Sequence, residues 1–360
     1  MKIMMAIPSL GVGGAEKMVE TLSKGLKGRC EIVVVVYNLT DSILEKRLSE
    51  SDIRIVELKK GKGFSISALL KARNVIRNER PDVIHTHLHA LPYFWLASGH
   101  IPIIHTVHTI ADKEHTGIEK IVSGFIYRNS RKCITVAITK IVRESLIEEY
   151  GNRLDRALIV FNGVDFSNFM CKECYEKHNP FEIVHVGRFC AVKNHKLIID
   201  CINILKEKGY DIHISLIGDG PDRKVIEHKV NELGLQREVS FKGVQDSVGS
   251  FLTNADMLIL PSAYEGMPMS LIEAMGSGLP IVASNVGGIP DMIESGKDGV
   301  LITPSLDELC EAIADLYVNY EKRKYLGTNA FSRANRFSSI KMTNDYFSVY
   351  TSIVDKHNKR

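Results

Sequence analysis

Short apolar runs of strand type alternate with helix-period segments along almost the whole chain, and the alternation starts twice. In the first half the runs are Lys2 to Pro8, Glu31 to Asn38, Asp52 to Leu58, Asp82 to His87, Ile103 to His108, Cys133 to Thr139 and Ala157 to Phe161. Helical segments such as Ala15 to Leu26, Ser65 to Arg80, Ile118 to Asn129 and Ile141 to Tyr150 fall between them. A polar, aperiodic stretch, FSNFMCKECYEKHNP, interrupts the order at Phe166 to Pro180. Strand runs then resume at Glu182 to Val186, His213 to Ile217, Val239 to Lys242, Met257 to Leu260, Ile281 to Ser284 and Val300 to Thr303. Such an order predicts α/β architecture: two doubly wound, parallel, Rossmann-like domains facing a central cleft. The expected division is a first domain over 1–165, a linker over 166–180 and a second domain over 181–337. A terminal helix over 338–360 is expected to pack back on the first domain.

Composition excludes several classes of function. At 360 residues the chain is long enough for two domains with substantial cores. A net charge of +3 is too mild to argue for nucleic acid, but suits an anionic ligand or membrane surface. Seven cysteines, an odd number scattered over both halves, point to reduced thiols and a cytoplasmic setting. Cys171 and Cys174 form a lone CxxC pair with no second pair at zinc spacing. The opening MKIMMAIPSL reads as a first strand and its loop rather than an export signal. Leu88 to Ile110 is apolar, yet four histidines and two prolines interrupt it too often for a bilayer span.

The run EGMPMSLIE, Glu265 to Glu273, carries the most chemistry. It follows the strand-like MLILPS, so Glu265 belongs to a loop at a strand's carboxyl end. Pro268 suits the first turn of the next helix, which holds Glu273. Free N–H groups and the helix's positive end make an anion site with a carboxylate on either side, a combination that suits a sugar nucleotide. GVGGAEK, Gly11 to Lys17, and IGDGPDR, Ile217 to Arg223, are glycine loops after strands where backbone can approach a phosphate, and Pro221 is expected to start the helix after the second. The first is not the dinucleotide fingerprint, because Glu16 stands where its last glycine belongs. In VGRFCAVKNH, Arg188 and Lys193 lie five residues apart after the second domain's first strand, placed to hold a diphosphate.

Together VGRFCAVKN, IGDGP, VSFKGV, the long run from Ala255 to Ile293 and DGVLIT resemble the donor domain of family-four glycosyltransferases with the GT-B fold. GGAEKMVETLSKGL, PDVIHTH, TVHT and FNGVD in the first half resemble that family more loosely. The resemblance implies that Arg188 and Lys193 clamp the diphosphate and that Glu273 holds the ribose hydroxyls. It puts Glu265 beside the transferred sugar, with the backbone of Gly266, Met267, Pro268 and Met269 meeting sugar hydroxyls and phosphate. Gly218 and Val244 fall in the donor-side motifs. His108 matches a histidine near the donor sugar and acceptor, and Gly13 and Gly14 match a loop that closes over the diphosphate. The resemblance also implies retention of anomeric configuration, no bound metal and no cofactor beyond the nucleotide-diphosphate sugar consumed as donor.

No Asp-x-Asp pair occurs in the chain, so Arg188, Lys193 and the helix at Pro268 are expected to do a metal's work. Front-side transfer is favoured over a covalent intermediate, because the match puts Glu265 near sugar hydroxyls rather than in line for attack. His85, His87 and His89 alternate around a strand end, where hydrogen bonds to neighbouring loops are expected rather than a metal. The expected acceptor is a glycan, a lipid-linked glycan or another molecule of polysaccharide and glycoconjugate assembly. The cation-bearing helical segments Ser65 to Arg80 and Ile118 to Lys132 suggest peripheral contact with the inner membrane face, although packing on the sheet also explains their apolar stripes. Two alternatives stand beside the transferase: a nucleotide-sugar 2-epimerase of similar fold, which needs no acceptor, and a non-catalytic sugar-nucleotide-binding partner.

Overall fold

A computed structural model describes residues 1–358 except 12, 62, 64 and 116, and leaves aside the side chains of Asn168 and Asn358. Two parallel sheets account for the thirteen apolar runs. The first holds β1 (Lys2–Ile7), β2 (Glu31–Val36), β3 (Arg54–Glu57), β4 (Val83–His87), β5 (Ile103–Val107), β6 (Cys133–Ala137) and β7 (Leu158–Ile159). The second holds β8 (Phe181–Val186), β9 (Ile212–Ile217), β10 (Val239–Gly243), β11 (Met257–Leu260), β12 (Ile281–Ser284) and β13 (Val300–Ile302). Their orders are β3-β2-β1-β4-β5-β6-β7 and β10-β9-β8-β11-β12-β13, so each sheet winds outward from its first strand, then reverses. Central strands such as β4, β5 and β11 are buried at every residue, as strands covered by helices on both faces must be.

The chain divides into two compact units, Met1–Asp165 with Ser338–Arg360, and Phe166–Phe337. In the first, the terminal helix Ser339–Asn358 supplies Met342, Tyr346, Tyr350 and Ile353 to a core that includes Ile3, Met5 and Leu22. Its two buried phenols also meet the strands: Tyr350 OH lies 2.6 Å from His85 Nδ1, and Tyr346 OH lies 2.8 Å from Thr106 Oγ1. Residues 166–180, for all their polarity, are anchored to the second unit and do not form a free-standing linker. Lys172 donates from its backbone N to Ser277 O at 2.9 Å and from Nζ to Ala255 O at 2.7 Å. Tyr175 OH donates to Gly278 O at 2.9 Å, and the buried Arg323 guanidinium donates twice to Tyr175 O. These polar side chains satisfy buried carbonyls, which hydrophobic periodicity does not register.

Two helix starts differ from expectation. Pro268 is the N-cap of the helix Met269–Gly276, with extended backbone, and the helix after IGDGPDR begins at Arg223 rather than Pro221. Proline's fixed φ suits an extended cap as well as a first helical turn.

Candidate active site

In the second unit the winding reverses between β8 and β11, and loops leaving adjacent strand ends diverge at such a point to leave a crevice. The loop after β8 carries Arg188 and Lys193; the loop after β11 carries Glu265 to Pro268. Two hydrogen bonds lock the loops together: Ala263 N donates to Val192 O at 2.8 Å, and the side-chain Nδ2 of Asn194 donates to Pro261 O at 2.9 Å. Lys193 Nζ lies 2.5 Å from Glu265 Oε1, and Ser262 Oγ donates to the same oxygen at 2.7 Å. Glu265 is buried, so the pair is screened little by water and holds a fixed geometry. Arg188 is exposed and makes no hydrogen bond or ion pair among the described residues, which leaves its guanidinium available.

The remaining donor-side residues cluster at the same sheet edge. Gly218, just after β9, has φ +133, and a Cβ there would stand 2.1 Å from Gly187 O. Only glycine fits, so the loops after β8 and β9 touch backbone to backbone. Val244 is exposed immediately after β10. Gly266 and Met267 lead into the helix capped by Pro268 and begun by Met269, and Glu273 is buried inside that helix. From residue 270 to 276 this helix is buried throughout, so its amino end is held rigidly at the edge of β11.

The first unit carries the other candidates. Gly13 is the N-cap of the helix Gly14–Leu26 and has no side chain to cap it, while the Glu16 carboxylate folds back onto its own backbone N–H. Val12, within the glycine loop, lies outside the described residues. His108 follows β5 and is half-buried, its Nε2 3.1 Å from Nδ1 of His87 at the end of β4. Burial pushes its pKa down to about 3, so the ring is neutral near pH 7. Glu114 Oε2 accepts from the backbone N–H groups of His108 and Thr109, at 3.2 and 3.1 Å. Of the strand-end histidines, His85 is held at both nitrogens, by Tyr350 and Thr106.

Residues 12–168 match the family model "Glycosyltransferase Family 4", and residues 172–333 match "Glycosyl transferases group 1". An uncharacterized glycosyltransferase of Methanocaldococcus jannaschii is 30% identical over 99% of this chain and 99% of its own. The chain belongs to glycosyltransferase family 4. This glycosyltransferase is also similar, at 24% identity over 66% of each chain, to the Escherichia coli UDP-Gal:α-D-GlcNAc-diphosphoundecaprenol α-1,3-galactosyltransferase. Among solved structures, HepE of Anabaena in complex with UDP superposes with a TM-score of 0.85. That match is 21% identical and covers 98% of this chain and 100% of that one, so the fold is GT-B.

Sequence reasoning left two supporting positions of the transferase without a role. Gly287, with φ +54, packs so closely on Glu265 that a Cβ would stand 1.8 Å from Glu265 O; Gly288 N donates to that oxygen at 3.0 Å. The GG pair after β12 was the available signal. Glu114 had none, since a glutamate in a polar loop gives no hint that its carboxylate is buried against two amides. No described helix of the transferase is long and apolar enough to cross a membrane.

Proposed function

We propose that this glycosyltransferase moves a sugar from a nucleotide-diphosphate sugar to a glycan or lipid-linked acceptor, retaining the anomeric configuration and using no divalent ion in the transfer. The Lys193–Glu265 pair at the reversal of the second sheet carries the reading. It sets a cation and a carboxylate side by side at the strand ends, where the leaving phosphate and the sugar hydroxyls each find a partner. Arg188 adds the second cation, and the N–H groups of Met269 and Ser270, at the start of the helix capped by Pro268, supply neutral donors. These groups stabilise the charge that builds on the diphosphate as the anomeric C–O bond breaks.

Glu265 acts in this scheme as an anchor for sugar hydroxyls. Its Oε1 already serves Lys193 and Ser262, which ill suits a nucleophile that must be free to attack. Transfer then proceeds on one face: the bond from anomeric carbon to phosphate oxygen breaks and the bond to the acceptor oxygen forms. The acceptor's proton passes to the departing phosphate. Neutral His108 offers an unprotonated nitrogen or an N–H to the sugar or acceptor, depending on its tautomer. Glu273 holds the ribose.

The deciding experiment begins with a thermal-shift panel of nucleotide sugars to find the donor, followed by turnover with an acceptor extract. Lys193→Ala is expected to lose ~10²–10³ in rate, the usual cost of one preorganised donor. Glu265→Gln should lose most activity while keeping nucleotide affinity. Near-normal turnover by Lys193→Ala, or a trapped glycosyl-enzyme at Glu265, would overturn the scheme; conversion of the donor without acceptor would make the chain an epimerase.

The acceptor side includes the helix Gly117–Asn129, where Ile118, Ile121 and Phe125 are all exposed. The apolar stripe therefore faces away from the first unit's core. Phe125 meets the edge of Trp95 with ring centroids 6.4 Å apart, and exposed Leu96 follows Trp95. Arg128, Arg131 and Lys132 lie just beyond the stripe, the composition of a surface that rests on anionic lipid. A membrane-embedded, lipid-linked acceptor fits that surface.

A further inference from the structure

The end of β5 and the helical turns after it gather ionisable side chains that the proposed transfer does not use. His105, Glu114 and His115 are all buried, and each offers a ligand atom within 4.8 Å of the other two. One polar atom of each, His105 Nε2, Glu114 Oε1 and His115 Nδ1, has no hydrogen bond among the described residues. Their other polar atoms are fixed. His105 Nδ1 lies 2.9 Å from Thr86 Oγ1, and His115 Nε2 lies 3.2 Å from Tyr127 OH. Glu114 Oε2 takes the two amides of His108 and Thr109. Each group is thus oriented by one atom while another is left over, which is how outer partners hold metal ligands in place.

The three left-over atoms make no hydrogen bond to one another, so a shared ion would satisfy all three. Ligand atoms about 2.1 Å from a tetrahedral zinc stand roughly 3.4 Å from one another, at the limit of a hydrogen bond. His115 also faces water-accessible donors. Its Nδ1 is 3.2 Å from Glu119 Oε1, without hydrogen-bond geometry, and His89 Nδ1 is 3.0 Å from that oxygen. His89, His115 and Glu119 form a second group whose ligand atoms lie within 4.8 Å, and His89 is exposed.

We propose that His105, Glu114 and His115 bind a divalent transition-metal ion, zinc by the fit of two imidazoles and a carboxylate, with a water completing the coordination and His89 and Glu119 at the point of entry. Bound there, the ion ties the turn after β5, and with it His108, to the strand. The site lies wholly in the first unit and does not depend on the proposed transfer chemistry. A water bridging the same three atoms is the competing occupant.

The test uses the full chain stripped with a chelator and titrated with zinc chloride by calorimetry, and with cobalt(II) by absorbance. One zinc equivalent is expected to bind, with Glu114→Gln weakening it by at least ~10², since even outer-partner losses cost 10–100-fold. Cys171→Ser/Cys174→Ser should keep the equivalent in full. X-ray absorption at the zinc edge should show two imidazoles and no sulfur, and it decides even if Glu114→Gln fails to fold. No uptake by the unmodified chain, unchanged affinity in a folded Glu114→Gln, or sulfur in the first coordination shell would overturn the site.

Discussion

At the scale of single residues, the candidate site depends on atoms that never touch a ligand. Gly287 carries no functional group, yet its left-handed backbone and missing Cβ let the turn after β12 lie against the Glu265 carbonyl. Gly287→Ala must either push Glu265 aside or strain the turn. A displacement of about 1 Å at a positioned group can cost ~10² in rate. Gly287→Ala is therefore expected to lose about that factor in kcat/KM while its far-UV circular dichroism stays native. Activity within twofold of the parent would show that Glu265 tolerates the shift. Lys193 and Glu265 were legible in the sequence because a cation and a carboxylate at strand ends are chemically conspicuous. Gly287 and Glu114 were not, since their roles lie in what packs on them.

At the scale of elements, the terminal helix stabilises a domain from whose other residues the whole second unit, Phe166–Phe337, separates it in sequence. Tyr346 and Tyr350 are fully buried and bond to Thr106 on β5 and His85 on β4. Tyr346→Ala removes an aromatic side chain from that core, a change that typically costs about 3–5 kcal/mol. Trp95, the chain's single tryptophan, lies in the same unit and reports on it selectively. The urea midpoint of the Trp95 fluorescence transition should fall markedly in Tyr346→Ala. An unchanged midpoint would mean that the helix contributes little to the first unit. Helical periodicity showed that the segment was a helix; the polar hydroxyls that tie it down gave no such signal. The stretch from 166 to 180 makes the same point, for its lysine, tyrosine and polar backbone contacts read as linker until their carbonyl partners are seen.

At the scale of the whole molecule, the proposed activity brings a water-soluble donor to an acceptor held in a lipid surface. No described helix is long and apolar enough to cross a membrane, and the proposed lipid contact rests on the exposed Ile118, Ile121 and Phe125 with the cations after them. The transferase is expected to float with vesicles containing anionic lipid and to stay behind with neutral ones. Ile121→Glu/Phe125→Glu should abolish flotation with only a small fall in melting temperature, since both side chains are mostly in water and only the edge contact of Phe125 with Trp95 is lost. Flotation that ignores vesicle charge and survives the double substitution would assign the stripe to another partner.

The alternation of apolar runs by itself determined the two parallel sheets and where their strands fall, because the central strands, buried on both faces, admit little but apolar residues. Spacing within VGRFCAVKNH and EGMPMSLIE likewise set Arg188, Lys193 and Glu265 in loops at strand ends and Glu273 in the helix that follows, since local order fixes which element a residue occupies. Only the tertiary structure decided which loops meet, which glycines are pressed against backbone, and which imidazoles and carboxylates converge after β5. Those outcomes depend on contacts between residues far apart in the chain, whose distances no local pattern encodes.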